Sequence, residues 1–161
     1  DQGHSRILYV GNIEQQRGFR LRWLAFASAM RQAGQEPPDP DEHVTVATED
    51  RARWMEKLRS RLDSGRYTAV LSTIPGQSEW VYAAAASLGL NVPDDLSVVG
   101  MEHEELPQLS ELSRPVLLTR EAGERAAELM LRRIANPLLP FEHVRLKGPF
   151  LQGGSIRRLR R

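Results

Sequence analysis

Short apolar runs alternate along this chain with longer stretches in which apolar side chains recur at helical spacing. Ile7 to Val10 is such a run and ends at Gly11, which predicts a buried parallel strand. Phe19, Trp23, Phe26, Met30 and Ala33 then line one face of a helix that Gly34 ends. Gln35 to Asp41 carries three prolines and three acids and reads as a loop. His43 to Ala47 predicts a second strand, and Thr48 caps a helix that buries Trp54, Leu58 and Leu62 and stops near Gly65. Ala69 to Thr73 predicts a third strand, and Pro75-Gly76 turns the chain into a helix running to Leu88. Gly89 is placed to close that helix in the left-handed conformation that glycine adopts cheaply. Pro93, Asp94 and Asp95 make a turn before the fourth strand, Leu96 to Gly100, with Glu102 just beyond its carboxyl end.

A Pro-, Leu- and Ser-rich passage leads to a fifth short strand, Val116 to Leu118. Thr119 caps a helix with Ala122, Ala126, Met130 and Ile134 on one face, ended by Asn136-Pro137, and Val144 to Leu146 reads as a last strand. Strands alternating with helices predict an α/β fold: a three-layer, doubly wound, mostly parallel sheet with helices on both faces. In such sheets ligands bind beyond the carboxyl ends of the strands, where Glu102 stands. No repeat or low-complexity segment breaks the pattern.

Composition narrows the chemistry. The 161 residues fit one domain, read here as a fragment because an apolar strand follows Asp1 almost at once without an initiator methionine. A formal net charge of +1 gives no global attraction to nucleic acid or membrane. The absence of cysteine excludes disulfides, thiolate metal sites and cysteine nucleophiles, and fits a cytoplasmic protein. No apolar run approaches a membrane span of roughly 18 residues. His4, His43, His103 and His143 lack paired metal spacing, so no metal or cofactor is expected. No nucleophile elbow or phosphate loop is present, and Ser97, inside a strand, reads as structural. Phe19, Trp23, Phe26 and Trp54 read as core, and the basic residues from Arg157 to Arg161 as a solvated terminus.

The stretch from Gly89 to Glu102 resembles a signature of the lactose/galactose-repressor (LacI/GalR) family, roughly G-x-x-V-P-x-D-hydrophobic-S-V-V-G-aromatic-D. The resemblance covers nearly the whole chain. Gly3-His4-Ser5-Arg6-Ile7 is similar to the family's G-H-x-x-I, and Arg22 to Phe26 resembles R-x-x-G-F with Ala25 replacing the glycine. Leu112 to Val116 falls at the family's L-T-T-V, Gly123 matches a helix glycine, and Val144 to Ser155 resembles the closing segment, with Gly153 at an expected arginine. The resemblance implies a type I periplasmic-binding-protein-like effector and dimerisation domain across 1–161: the C-terminal lobe plus the segment returning to a first lobe. Helix-turn-helix and first lobe are absent from the sequence, so operator DNA would be read only through that absent N-terminal part.

By the same resemblance Arg22, Thr73, Ile74, Glu102 and Leu117 are the effector-binding candidates. Arginine suits a polyol because its planar fork donates two parallel hydrogen bonds, and a carboxylate accepts from hydroxyls. The plain alternatives are a surface arginine among Arg17, Arg20 and Arg31, and a solvated acid beside Glu104 and Glu105. Thr73-Ile74-Pro75 departs from the family's A-N-D, and Leu117 replaces a position often polar. Buried ligand hydroxyls without partners are costly, so a free hexose fits poorly; a less polar or anionic effector, or none, fits better. Trp80, Val81 and Tyr82 are candidates for a face meeting another subunit of a homodimer. The implied function is a non-enzymatic, ligand-sensing repressor domain in the cytoplasm. The alternatives are a secreted periplasmic sugar-binding protein, a dimerisation-only lobe with a degenerate effector site, or a doubly wound enzyme using Glu102 with His103.

Overall fold

The computed structural model describes residues 2–12, 17–40, 51–102 and 109–159. Strand β1 (Ile7–Val10) is followed by helices α1 (Arg17–Gln32) and α2 (Arg51–Asp63), then strand β2 (Ala69–Ser72), helix α3 (Ser78–Ser87) and strand β3 (Ser97–Gly100). The three strands pair in parallel in the order β1-β2-β3, with Ile7, Ala69 and Ser97 in register. The expected strand at His43 to Ala47 and the cap at Thr48 lie outside the described residues.

Alternation along the strands explains the layers. Leu8, Val10, Val70 and Val98 point to one face and form a core with Trp54, Leu58 and Leu62 of α2 and with Val81, Ala84 and Ala85 of α3. On the other face Tyr9 meets Trp23 and Phe26 of α1, with ring centroids 5.0 and 5.3 Å away. The predicted stripes of α1 and α2 therefore pack on opposite faces of the sheet. Trp80 packs edge-on against Trp54 at 5.0 Å, so this aromatic is tied into its own chain. Gly89 has φ 71°, and the amides of Gly89 and Leu90 return to the carbonyls of Ala86 and Ala85, the helix stop expected there. In the following turn the Asp95 carboxylate accepts from the Asn91 amide at 2.8 Å, which holds its pKa below the usual value.

The last third differs from expectation in detail. Instead of a strand at Val116 to Leu118, two-residue strands β4 (Arg114–Pro115) and β5 (Phe150–Leu151) pair antiparallel. Proline at 115 has no amide to donate, and only the Val116 amide adds a further bond, to the Pro149 carbonyl. Val144 to Leu146 forms no strand and is exposed. Helix α4 (Thr119–Ala135) forms as predicted, but Leu118 holds its N-cap position and no side chain caps it, so Thr119 is not the cap. None of its residues is buried: Met130 is 62% and Ile134 69% exposed, and Phe141 beyond it is 79% exposed.

The outer edge of β3 is closed by the return segment instead of a full strand. Ser155 receives the Val98 amide on its carbonyl at 2.8 Å and donates its hydroxyl to the Val98 carbonyl at 2.7 Å. Its hydroxyl oxygen also accepts the Ser113 amide at 2.7 Å. At the opposite end of the sheet, His4 lies 2.9 Å from the Thr68 hydroxyl and the Arg157 carbonyl, and 3.0 Å from the Ser97 hydroxyl. Ser97 is structural, as its place in a strand predicts.

Candidate functional site

Strands β1, β2 and β3 end together at Gly11, Thr73 and Met101, and the segments that follow converge on one rim. Gly11 is obligatory there, because a Cβ would overlap the Thr73 hydroxyl. Gly100 is equally constrained, since its Cβ would meet the Ser78 hydroxyl and the Leu112 side chain. The buried Thr73 hydroxyl lies 3.2 Å from both the Tyr9 hydroxyl and the Val10 carbonyl. Burial pushes the Tyr9 phenol above its ordinary pKa, opposed by the Thr73 hydrogen bond and the nearby charge of Arg22.

Arg22 rises from the second turn of α1, half-buried, and donates Nη1 to the Thr73 carbonyl at 2.9 Å. Its guanidinium carbon also sits 5.3 Å from the centre of the Phe19 ring. This is not the freely solvated arginine that Arg17 and Arg20 resemble. Those two contacts fix the guanidinium while leaving other N–H groups of its fork to a ligand.

Glu102 is only 3% exposed. Its Oε2 accepts the Gly76 amide at 2.7 Å and its Oε1 lies 3.4 Å from the Ser78 amide. Helix α3 has Gln77 at its N-cap position with no side-chain cap bond of its own. A carboxylate from the end of β3 thus supplies the cap across the sheet, where orphan amides and the helix dipole favour negative charge. The picture of a solvated acid in an acidic loop does not hold for this residue.

Arg22, Thr73 and Glu102 are therefore brought to one rim, with half-buried Ile74 and Pro75 between Thr73 and the amide that Glu102 holds. Leu117 is half-buried in the segment between β4 and α4 and has no hydrogen bond to this group. Its flanks are fixed at Gly148, where a Cβ would strike the Val116 carbonyl and approach the Leu118 side chain. Tyr9 and the capping role of Glu102 escaped sequence reasoning. The alternation of β1 already placed Tyr9 opposite Leu8, but nothing local signals a hydrogen bond over 64 residues. Among the described residues no group of three or more His, Asp or Glu could hold a metal ion. His103 lies outside them.

The parallel sheet gathers these polar residues at its carboxyl rim, and residues 1–156 match a known family. The chain belongs to the periplasmic binding protein-like domain family. Within that family the chain is similar to repressors of the LacI type, in keeping with the resemblance of its Gly89–Glu102 stretch. It is 30% identical to the ribose operon repressor of Escherichia coli K12 over 96% of this chain and 47% of that protein. It thus spans about half the length of the curated relatives it matches.

A LacI family transcriptional regulator from Enterococcus faecium, solved with bound ribose, superposes with a TM-score of 0.79 at 21% identity, covering 99% of this chain and 59% of that one. A LacI-family transcriptional regulatory protein from Corynebacterium glutamicum gives 0.76 at 24% identity, covering 99% and 60%.

Proposed function

We propose that this chain is the ligand-sensing lobe of a LacI/GalR-type transcriptional repressor, in which a small effector held at the carboxyl rim alters operator affinity. The observation that carries this reading is Arg22, braced on the Thr73 carbonyl at the end of β2 and facing the turn that Glu102 caps. The guanidinium would donate to effector oxygens and Glu102 would accept from effector hydroxyls. Ile74 and Leu117 would supply apolar walls, which suits a small sugar-like molecule with few polar contacts. Ribose is the first candidate, since the chain is 30% identical to a ribose operon repressor.

Residues 1–161 would form the second lobe and the segment returning to the first. The exposed apolar side chains of α4 and of Phe141, Phe150 and Leu151 support that division, because they lack a core of their own here. They would pack on the first lobe, while operator DNA would be bound by a separate N-terminal part. The regulator would act in the cytoplasm as a homodimer, without catalytic chemistry.

The test is titration of the full-length protein with D-ribose, followed by tryptophan fluorescence, since Trp23 lies one residue from Arg22. Saturable binding that changes affinity for DNA from the gene's own upstream region supports the reading. Binding to that DNA with no response to sugars would favour the dimerisation-only lobe, for which the engagement of both Glu102 oxygens by α3 is the supporting observation.

A further inference from the structure

Tyr9 is wholly buried against aromatic neighbours that ask only for a ring, yet it carries a hydroxyl. Burying a phenol is costly unless its oxygen is bonded, so phenylalanine would serve the packing alone. The ring stands edge-on to Trp23 at 5.0 Å, next to Arg22 on α1, and 5.3 Å from Phe26 a turn further on. The hydroxyl lies 3.2 Å from Thr73 Oγ1 at the end of β2. Thr73 in turn receives Arg22 Nη1 on its carbonyl at 2.9 Å. One side chain therefore touches both halves of the Arg22 brace: the helix that carries the guanidinium and the residue that holds it. Gly11 makes room for this, because a Cβ there would overlap the Thr73 hydroxyl and crowd the Tyr9 ring.

We propose that Tyr9 is a positioning residue for Arg22: its ring sets the helix, its hydroxyl sets Thr73, and together they fix the guanidinium before a ligand arrives. A group held ready in this way spares the ligand the cost of ordering it. The Thr73 hydroxyl has a second neighbour, the Val10 carbonyl at 3.2 Å, and the Thr73 amide donates to that same carbonyl at 2.9 Å. Without the phenol hydroxyl Thr73 stays bonded to β1 but loses its tie to the ring that packs on α1. The fold should hold while the brace loosens. What the fork then binds rests on the sensor reading above; the bracing of Arg22 does not.

The reactivity of Arg22 toward phenylglyoxal, which modifies accessible guanidinium groups, reads the brace without any ligand. Full-length wild type and Tyr9→Phe are treated with the reagent, and each arginine is followed by peptide mass spectrometry. Exposed Arg17 and Arg20 on the same helix are the internal controls. Arg22 should react at least about threefold faster in Tyr9→Phe, with the rates at Arg17 and Arg20 unchanged. Thr73→Val removes the same bond from the other side and should free Arg22 equally, whereas Thr73→Ser keeps the hydroxyl and should not. Adding Tyr9→Phe to Thr73→Val should change nothing further. An unchanged rate at Arg22, a rise shared by all three arginines, or effects that multiply in the double variant overturn the proposal.

Ribose titration of the same full-length proteins connects the brace to binding. Tyr9→Phe should raise the Kd for ribose by at least about threefold while its urea midpoint stays close to that of wild type. If wild type does not bind ribose but Tyr9→Phe still frees Arg22, the positioning role stands and the ribose reading falls. If ribose binds both proteins equally although Arg22 has been freed, the brace stands and Arg22 leaves the effector site. If Arg22 is no more reactive and ribose still binds, the positioning role falls and the sensor reading stands.

Discussion

Ser155→Ala tests how the return segment is held. The hydroxyl of Ser155 makes two buried hydrogen bonds, donating to the Val98 carbonyl and accepting from the Ser113 amide, both at 2.7 Å. Alanine leaves a buried carbonyl and a buried amide facing a methyl group. Each unsatisfied buried group costs about 1–3 kcal/mol, so the pair should cost about 3 kcal/mol once partial relaxation is allowed for. In a chain of this size that lowers Tm by roughly 6–12 °C.

Two equally buried serines provide the contrast. Ser72 and Ser78 are fully buried, and their hydroxyls have no hydrogen-bond partner. Removing those hydroxyls strands no partner, so Ser72→Ala and Ser78→Ala should stay within about 0.5 kcal/mol of wild type. Urea denaturation of the three variants at one pH, with m-values compared, measures the differences directly. If Ser72→Ala or Ser78→Ala costs as much as Ser155→Ala, burial of a hydroxyl and not its bonding is what matters, and the reasoning fails.

Other outcomes follow from the same geometry. Gly100→Ala should destabilise by about 1–3 kcal/mol, because its methyl would press on Ser78 and Leu112; differential scanning calorimetry reads the loss. Arg22→Ala should abolish the fluorescence response to effector while changing stability by less than about 1 kcal/mol; a retained response removes Arg22 from the site. The Tyr9 phenol has its pKa raised above 10.0 by burial, so the unfolded chain releases that proton first as pH rises. Stability should be intact below that value and fall as pH climbs from it toward the folded pKa, and Tyr9→Phe should flatten this alkaline limb in urea titrations.

The parallel sheet and its helices were legible because each strand is a continuous apolar run and each helix carries a stripe at its own period. Trp54, Leu58 and Leu62 are buried where that period puts them. Periodicity says which face is apolar, however, not whether something covers it. Ala122, Ala126, Met130 and Ile134 form the expected face of α4 and lie in solvent. Strands β4 and β5 were illegible for another reason: two residues hold no period, and their pairing joins positions far apart in sequence. At the rim, Arg22 and Glu102 could be proposed from resemblance. The partner of Glu102, the amide of Gly76, is a backbone group 26 residues away, and backbone groups leave no mark in side-chain patterns.

One corner of the molecule bears on how freely the chain could be re-cut. The Leu159 amide donates to the Gln2 carbonyl at 2.8 Å, and a Cβ on Gly3 would touch Leu159. His4 fastens the same two segments through the Arg157 carbonyl. Joining residue 159 to residue 2 by a short linker would therefore span almost no distance and cost little closure entropy. New ends opened at exposed Gly65, between α2 and β2, would leave every strand pairing untouched. Such a circular permutant should keep the sheet, which makes the order in which these elements are synthesised incidental to the lobe they build.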